Sequence, residues 1–167
     1  MLKLLGMVFL FLGSAGTGLL LSKGLSKRTE LILLIQKLLL TLSNDLNYQK
    51  TPTVQLLRDL SQDESYEKLG FLGEFRGLTV QTAPISRLWD DALQKQAGLQ
   101  KEELELLRET GRILGSSDSE SQVNALCLQQ KKLDLILAEA MQKQQTQGKL
   151  FRSMGVLAGF LLMILTF

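Results

Sequence analysis

Histidine is absent from this chain of 167 residues. It is the side chain that enzymes use most often as a general base, as the partner of a serine or cysteine nucleophile, and as a zinc ligand. The phosphate-binding pattern GxxxxGK(S/T) is absent too, so we expect no ATP hydrolysis by this chain alone. These two absences argue against an enzyme, and we predict no catalytic residue, no metal site and no cofactor.

Cysteine is nearly absent, because Cys127 is the only one. A single cysteine excludes an intrachain disulfide and any CxxC metal motif. Cys127 falls on a helical pattern with Val123, Leu126 and Gln130, which predicts a packed thiol rather than a reactive one.

An excess of charge of either sign is also lacking, since 19 Lys and Arg residues stand against 17 Asp and Glu residues. Once the charges beside the two apolar ends are set aside, the body of the chain is mildly acidic. Nucleic-acid binding needs the opposite balance, because contacts to phosphates supply most of the affinity. We therefore expect no nucleic-acid partner.

Acidic residues cluster twice, at Asp90-Asp91 and at Glu102, Glu103 and Glu105. Both clusters fall on the polar faces of predicted helices. Glu102 and Glu103 lie in a first helical turn, where negative charge complements the helix dipole. We interpret both clusters as solvated helix faces rather than as a general acid or a metal site.

The sequence does contain a long apolar run at its N-terminal end. Residues 4–22 carry no charge, and a helix of that length spans about 28 Å, close to the thickness of a hydrocarbon core. An alternative is a cleaved signal peptide, with Lys3 as its basic start and Ser14-Ala15-Gly16 as its cleavage site. Because the apolar run resumes at Leu19 and basic residues then follow at once, we favour a retained anchor.

The second apolar run, residues 153–167, is shorter, at about 22 Å as a helix. It spans a membrane only if Leu150 and Phe151 join it and Arg152 snorkels to the interface. An apolar run of this kind is hard to explain on the surface of a soluble protein. We therefore predict a second transmembrane anchor.

Both apolar runs contain small residues spaced four apart, namely Ser14 with Gly18 and Gly155 with Gly159. This spacing allows helices to approach closely in lipid. Glycine is common in membrane helices, so the spacing is also compatible with incidental glycines.

The basic residues beside the apolar runs predict an orientation. Those that flank the runs on the side of the central region are Lys23, Lys27, Arg28, Lys149 and Arg152. Only Lys3 lies on the far side, so the positive-inside rule places the central region in the cytoplasm. The predicted domains are an N-terminal anchor (1–24), a cytoplasmic helical bundle (25–148) and a C-terminal anchor (149–167).

The central region reads as helix throughout. From Thr29 to about Gln49, leucines and isoleucines fill more than one face, so this helix is expected to be central or to contact a second copy of the chain. The next helix is predicted to have Thr51 as its N-cap and Pro52 at its first position. No alternating strand pattern competes, so the predicted fold is all-α, a bundle of about six helices flanked by two transmembrane helices.

Further helix boundaries follow from turn residues. Pro84 opens a helix in which Trp89 faces inward, and Gly98 ends it. A helix from about Gln100 to Leu114 is expected to end at a left-handed Gly115. From Ser119 onward, apolar residues repeat at seven-residue intervals, and this last helix is expected to run on towards the membrane, with Gly148 as a possible hinge.

One stretch of the chain resembles a known family. The residues Gly111, Leu114-Gly115, Ser117-Asp118 and Gln122 match the pattern GxxLGxSDxxxQ, which is similar to a signature of the stage III sporulation protein AB family. Other landmarks agree in order and spacing: residues 1–6, Tyr48 with Thr51-Pro52, Trp89 with Ala92-Leu93, and residues 154–159. The resemblance covers the whole chain, although Gln49-Lys50 replaces a glycine-containing turn expected before Thr-Pro.

The resemblance implies a function that the composition alone does not. The family is similar to the cytoplasmic domain of the type II secretion platform protein F. It implies a non-enzymatic scaffold in the outer forespore membrane, linking mother cell and forespore and coupling a separate cytoplasmic ATPase to membrane ring or channel proteins. The alternative is a two-anchor membrane adaptor unrelated to sporulation, which shares every physical feature.

The resemblance also singles out individual residues as candidates for partner contact. These are Gly111, Gly115, Ser117, Asp118, Gln122, Thr51, Pro52 and Trp89. Each of them also has a structural explanation, the glycines as packing and capping residues, Thr51-Pro52 as a helix start and Trp89 as a core residue.

Overall fold

A computed structural model of the chain describes residues 2–49, 52–77, 84–114 and 119–166. Five α-helices follow one another: α1 (Leu2–Asn44), α2 (Thr53–Gln62), α3 (Ile85–Leu93), α4 (Lys101–Leu114) and α5 (Ser119–Thr166). A π-helical turn, Asp45–Gln49, extends α1, and two 3₁₀ segments, Glu64–Tyr66 and Gly70–Phe75, follow α2. These ranges contain no strand, so the predicted all-helical fold with about six helices is confirmed.

The chain forms two compact units. One, here the terminal unit, comprises the residues up to Thr29 together with those from Ala138 onward. The other, the central unit, comprises Glu30–Leu137. These units are defined by contacts, whereas the sequence-based domains 1–24, 25–148 and 149–167 are defined by hydropathy, so the membrane boundaries stay a prediction.

The two long helices, α1 and α5, are continuous where the sequence suggested interruptions. The N-terminal run and the helix expected from Thr29 are one helix, α1. Likewise α5 runs through Gly148 without a break. Gly148 is buried, and a Cβ added to it would lie 3.3 Å from Ser22 Oγ. Gly148 therefore packs closely against Ser22 within a continuous helix, and no hinge is seen there.

The length and hydropathy of the helices do not support the predicted transmembrane anchors. Within the described ranges, none of the helices combines the length and the hydropathy that a membrane crossing requires.

Small residues bring α1 and α5 together inside the terminal unit. Ser14 Oγ donates a hydrogen bond to the carbonyl oxygen of Gly155 at 2.8 Å. A Cβ added to Gly18 would overlap the carbonyl oxygen of Phe151 and lie 3.2 Å from the Cα of Gly155. The predicted small-residue spacing therefore allows these two helices of one chain to pack backbone against backbone.

The core of the central unit follows the periodicity of the sequence. The predicted stripe of α1 is buried throughout, with Leu31, Ile35, Leu38, Leu42 and Leu46 at most 5% exposed. Such a stripe removes one full helix face from water, which is the main stabilising contribution to a fold of this size.

Both prolines precede helices: the predicted start of α2 at Pro52 is off by one residue, and Pro84 is confirmed as the start of α3. Pro52 itself is the N-cap of α2, and its carbonyl oxygen accepts a hydrogen bond from Leu56 N at 3.1 Å. The prediction that it occupies the first helical position is thus wrong by one residue, because its ψ of 133° is extended. Pro84 is likewise the N-cap of α3, and α3 already ends at Leu93, before Gly98 with its positive φ of 86°.

Candidate interaction surfaces

Trp89 and Gly111, both singled out from the sequence, meet between α3 and α4. Trp89 is fully buried, and its Nε1 donates a hydrogen bond to the carbonyl oxygen of Leu107 at 2.6 Å. One turn later, a Cβ on Gly111 would lie 2.5 Å from Trp89 Cδ1, closer than real side chains approach. Phe71 adds an edge-to-face contact with 5.1 Å between ring centroids. These contacts give Trp89 and Gly111 a packing role in the core.

The other residues of the signature are divided between the core and the parts of the chain that are not described. Gln122 is 5% exposed on the inner side of α5. Pro52 is exposed at the start of α2. Thr51, Gly115, Ser117 and Asp118 lie outside the described residues, and so does the predicted left-handed cap at Gly115.

The flanking basic residues differ in their exposure. Lys23, Lys27 and Lys149 are exposed, whereas Arg28 is only 6% exposed in the terminal unit. The pKa of Glu139 is lowered, first by its hydrogen bond and ion pair with Lys143 and also by the charge of Arg28. The side chain of Arg152 lies outside the described part of the chain.

In the described ranges, no three His, Cys, Asp or Glu side chains come together in a group that could hold a metal ion. One acidic residue was interpreted wrongly. Glu103 is fully buried rather than solvated, because its carboxylate accepts a hydrogen bond from Gln100 N at 2.6 Å and so caps the start of α4. Asp90 is half-buried, with an Oδ1 that has no partner among the described residues.

The prediction of a packed thiol is also wrong. Cys127 is exposed on α5. It follows Leu126, which is fully buried, and consecutive residues on a helix point about 100° apart. Cys127 therefore leaves the core face that its neighbour occupies.

A group of polar contacts fastens the first 3₁₀ segment to α1. Lys37 Nζ donates to Ser65 Oγ at 2.8 Å and lies 4.8 Å from the centre of the Tyr66 ring. The hydroxyl groups of Tyr66 and Thr41 are 2.9 Å apart. Burial raises the pKa of Tyr66, whereas hydrogen bonds from Ser65 lower the pKa of Asp63.

A second polar contact joins α1 to α5. Gln36 Nε2 donates to Asp134 Oδ1 at 2.6 Å. Between Lys37 and this bond lies an open cleft of about 360 Å³. We call it the leucine cleft, and its lining residues are Leu33, Gln36, Lys37, Leu40, Gln130 and Asp134.

The leucine cleft is the surface that the candidate residues chosen from the sequence missed. A signal for it was present, because the apolar residues of α1 fill more than one face, and such a helix was expected to be central or to contact another copy. Ile32 and Leu39 turn out to be buried, whereas Leu33 and Leu40 are exposed. Periodicity could separate the two faces only once the core face was known.

Two comparisons with known proteins identify the same family over nearly the whole chain. The family model for stage III sporulation protein AB matches residues 3–167. The stage III sporulation protein AB of Bacillus subtilis (strain 168) is 31% identical over 172 residues, which cover 99% of both chains. No solved structure matches. The chain belongs to the stage III sporulation protein AB family.

Proposed function

We propose that this protein is a non-enzymatic, membrane-associated scaffold of a secretion-like complex that links mother cell and forespore during endospore formation. The observation that carries the proposal is membership of the sporulation family along the whole chain. Membership supports a role in sporulation. The scaffold role, the location in the outer forespore membrane and the coupling to an ATPase go further and are the proposal.

The exterior of the terminal unit supports an association with lipid. Large apolar side chains are exposed along both of its helices: Leu12, Leu19, Leu20, Leu21, Leu150, Leu157, Phe160, Leu161 and Ile164. Apolar surface of this extent usually marks contact with a membrane or with another protein. In the proposed arrangement, the terminal unit holds the chain at the mother-cell membrane and the central unit faces the cytoplasm.

The central unit supports a scaffold role because the motif residues Trp89, Gly111 and Gln122 are packed in its interior. They hold helices against one another rather than line a reaction site. A protein of this kind acts through its surfaces. Force or position would be received from a separate cytoplasmic ATPase and passed to ring or channel proteins in the membrane.

The alternative, a two-anchor adaptor unrelated to sporulation, is not favoured by any observation, because the family match places the chain among sporulation proteins.

Co-purification with the ATPase of the same complex tests the proposal. The full-length chain, tagged and solubilised in mild detergent, is expected to retain the ATPase from sporulating cells. A matched control is a variant with Trp89→Ala, which removes the core side chain and should unfold the central unit while leaving the tag in place. Absence of the ATPase from the wild-type sample, with and without nucleotide, would count against the coupling role.

A further inference from the structure

We propose that the terminal unit binds a membrane surface whose lipids carry anionic headgroups, through three lysines on one side of the α1–α5 pair. These residues, Lys23, Lys27 and Lys149, are here called the lysine belt. The inference rests on the membrane association proposed above, and it adds the class of lipid that the protein selects.

The first observation is that the near-neutral charge of the chain conceals two units of opposite charge. The central unit holds 12 basic and 16 acidic residues, whereas the terminal unit holds seven basic residues and one acidic residue. The basic residues of the terminal unit are Lys3, Lys23, Lys27, Arg28, Lys143, Lys149 and Arg152. Such an excess of positive charge favours a partner that carries negative charge.

The lysine belt is not neutralised by the protein itself. Lys23, Lys27 and Lys149 are exposed, and within the described ranges none of them takes part in an ion pair. The acidic residue of the terminal unit, Glu139, is already paired with Lys143 at 2.5 Å. Three ammonium groups can therefore meet negative groups from outside the chain.

The second observation concerns the direction of the two helices that carry the belt. Ser22 faces Gly148, with 3.3 Å between the serine Oγ and a Cβ built on the glycine. Ser26 Oγ accepts a hydrogen bond from Gln144 Nε2 at 3.1 Å. The residue number rises along α1 as it falls along α5, so the two helices are antiparallel in this unit.

This geometry places all three lysines on one side of the helix pair. Rotation by 180° about a line perpendicular to the plane of an antiparallel pair exchanges the helices but keeps each side. Residues that directly follow two facing positions, about 100° further around each helix, therefore emerge on the same side. Lys23 follows Ser22 and Lys149 follows Gly148, and Lys27 lies four residues after Lys23 on the same face of α1.

The third observation is the surface that adjoins the belt on this side. Leu19 lies four residues before Lys23, Val156 lies seven residues after Lys149, and they are 50% and 40% exposed. At the other end of the belt, Gln145 is exposed. Along the pair, the surface passes from apolar side chains through lysines to a glutamine, which is the order of hydrocarbon, headgroups and water in a bilayer.

Anionic lipid matches both the charge and the apolar surface. Lysine stems pack along apolar surface while their ammonium groups reach outward, and lysines at this level are attracted by anionic headgroups. A purely electrostatic contact with an acidic protein would satisfy the charge but leave the adjoining apolar side chains in water. The geometry therefore favours a lipid surface over such a protein.

The test measures which lipids remain bound to the tagged full-length chain. The protein is immobilised in mild detergent, offered an equimolar mixture of phosphatidylglycerol and phosphatidylcholine, and washed, and the retained lipids are quantified by headgroup. The wild type is expected to retain phosphatidylglycerol over phosphatidylcholine by about fivefold or more, and high salt should lower this ratio. The variant Lys23→Gln/Lys27→Gln/Lys149→Gln should retain the two lipids in nearly equal amounts.

A matched control removes three exposed lysines from the central unit, with the substitutions Lys101→Gln/Lys131→Gln/Lys132→Gln. It changes the net charge of the chain by the same amount as the belt variant, and it should keep the lipid ratio of the wild type. Circular dichroism checks that both variants remain helical.

The lipid ratio and the total amount of retained phospholipid are separate readouts. Equal retention of the two lipids by the wild type would overturn the inference while leaving the proposed membrane association intact, whereas no retained phospholipid would overturn both. A belt variant that keeps the wild-type ratio would also overturn the inference. If that variant instead loses an oligomer seen for the wild type in sedimentation, the belt belongs to a contact with the acidic central unit of a second copy.

Discussion

Gly111, in the central unit, leaves no room for a side chain. The indole ring of Trp89 occupies the space in which a Cβ would stand. Because the same indole is tied to Leu107 through its Nε1, the ring cannot move aside without losing a buried hydrogen bond. A single methyl group at position 111 therefore acts on both the packing and the hydrogen bond.

We expect Gly111→Ala to destabilise the central unit by about 1–3 kcal/mol, the usual cost of inserting a methyl group into a packed core. The measurement is thermal unfolding of the full-length chain in detergent, followed by the fluorescence of Trp89, the only tryptophan. Gly73→Ala is the control, because a Cβ at Gly73 meets nothing within 4 Å. Equal melting temperatures for the two variants would contradict the packing role of Gly111.

For single residues, the sequence could indicate which side chains face the core, but not which neighbours they contact there. Trp89 was correctly expected to face the core, but its contact with Gly111 depends on how α3 crosses α4, which a one-dimensional pattern does not contain. Glu103 was assigned to a solvated face because charged residues are seldom buried. Its burial depends on the hydrogen bond to Gln100 N, and that bond exists only once the turn before α4 has formed.

At the scale of whole elements, the close packing of α1 and α5 in the terminal unit is set by glycine. The backbones approach at Gly18 and Gly155, where neither helix carries a side chain. Glycine inside a helix costs up to about 1 kcal/mol relative to alanine. Here that cost is offset by dispersion contacts between the two backbones and by the hydrogen bond from Ser14.

We expect Gly18→Leu to separate α1 from α5, because its side chain would overlap the backbone at Phe151. The separation can be measured with a cysteine pair, Ser22→Cys and Gly148→Cys, in a Cys127→Ser background. A Cβ at Gly148 lies 3.3 Å from Ser22 Oγ, so this pair should oxidise readily in the parent.

The expected result is a lower yield of the intramolecular disulfide in the Gly18→Leu chain. Gly16→Leu provides the control, since a Cβ at Gly16 meets nothing within 4 Å. If both leucine variants form the disulfide as fully as the parent, the close approach at Gly18 is not needed for the pairing of these helices.

Element boundaries were predictable where a proline or a change of periodicity marks them. Pro84 marked the start of α3, and the apolar stripe of α1 was read correctly. The two 3₁₀ segments after α2 were not predicted as such, because glycines at 70 and 73 weaken any periodic signal there. The first segment buries Tyr66 and the second buries Phe71, Leu72 and Phe75, and this burial is a tertiary effect.

At the scale of the whole molecule, the orientation in the membrane is the prediction that remains to be measured. Single cysteines at Ser26 and Thr166, in a Cys127→Ser background, should react differently with a membrane-impermeant maleimide applied to intact cells. The positive-inside rule predicts labelling at position 166 and protection at position 26. Labelling at position 26 from outside would reverse the proposed orientation, and protection at both positions would favour a helical pair that lies on the inner surface.

The family could be recognised from the sequence because its motif residues retain their spacing along the chain. The leucine cleft could not, since it is made by residues of α1 and α5 that are almost a hundred positions apart, such as Gln36 and Asp134. Spacing along one helix shows which residues share a face. Only the fold shows what lies beside that face.

The exposed thiol of Cys127 has a practical consequence when it is considered together with Trp89. Both residues belong to the central unit, and each is the only one of its kind in the chain. An acceptor dye attached to Cys127 would therefore receive excitation energy from a single donor, without any mutation. The unaltered, purified protein thus carries one donor and one attachment site, with which the distance between α5 and the core can be followed.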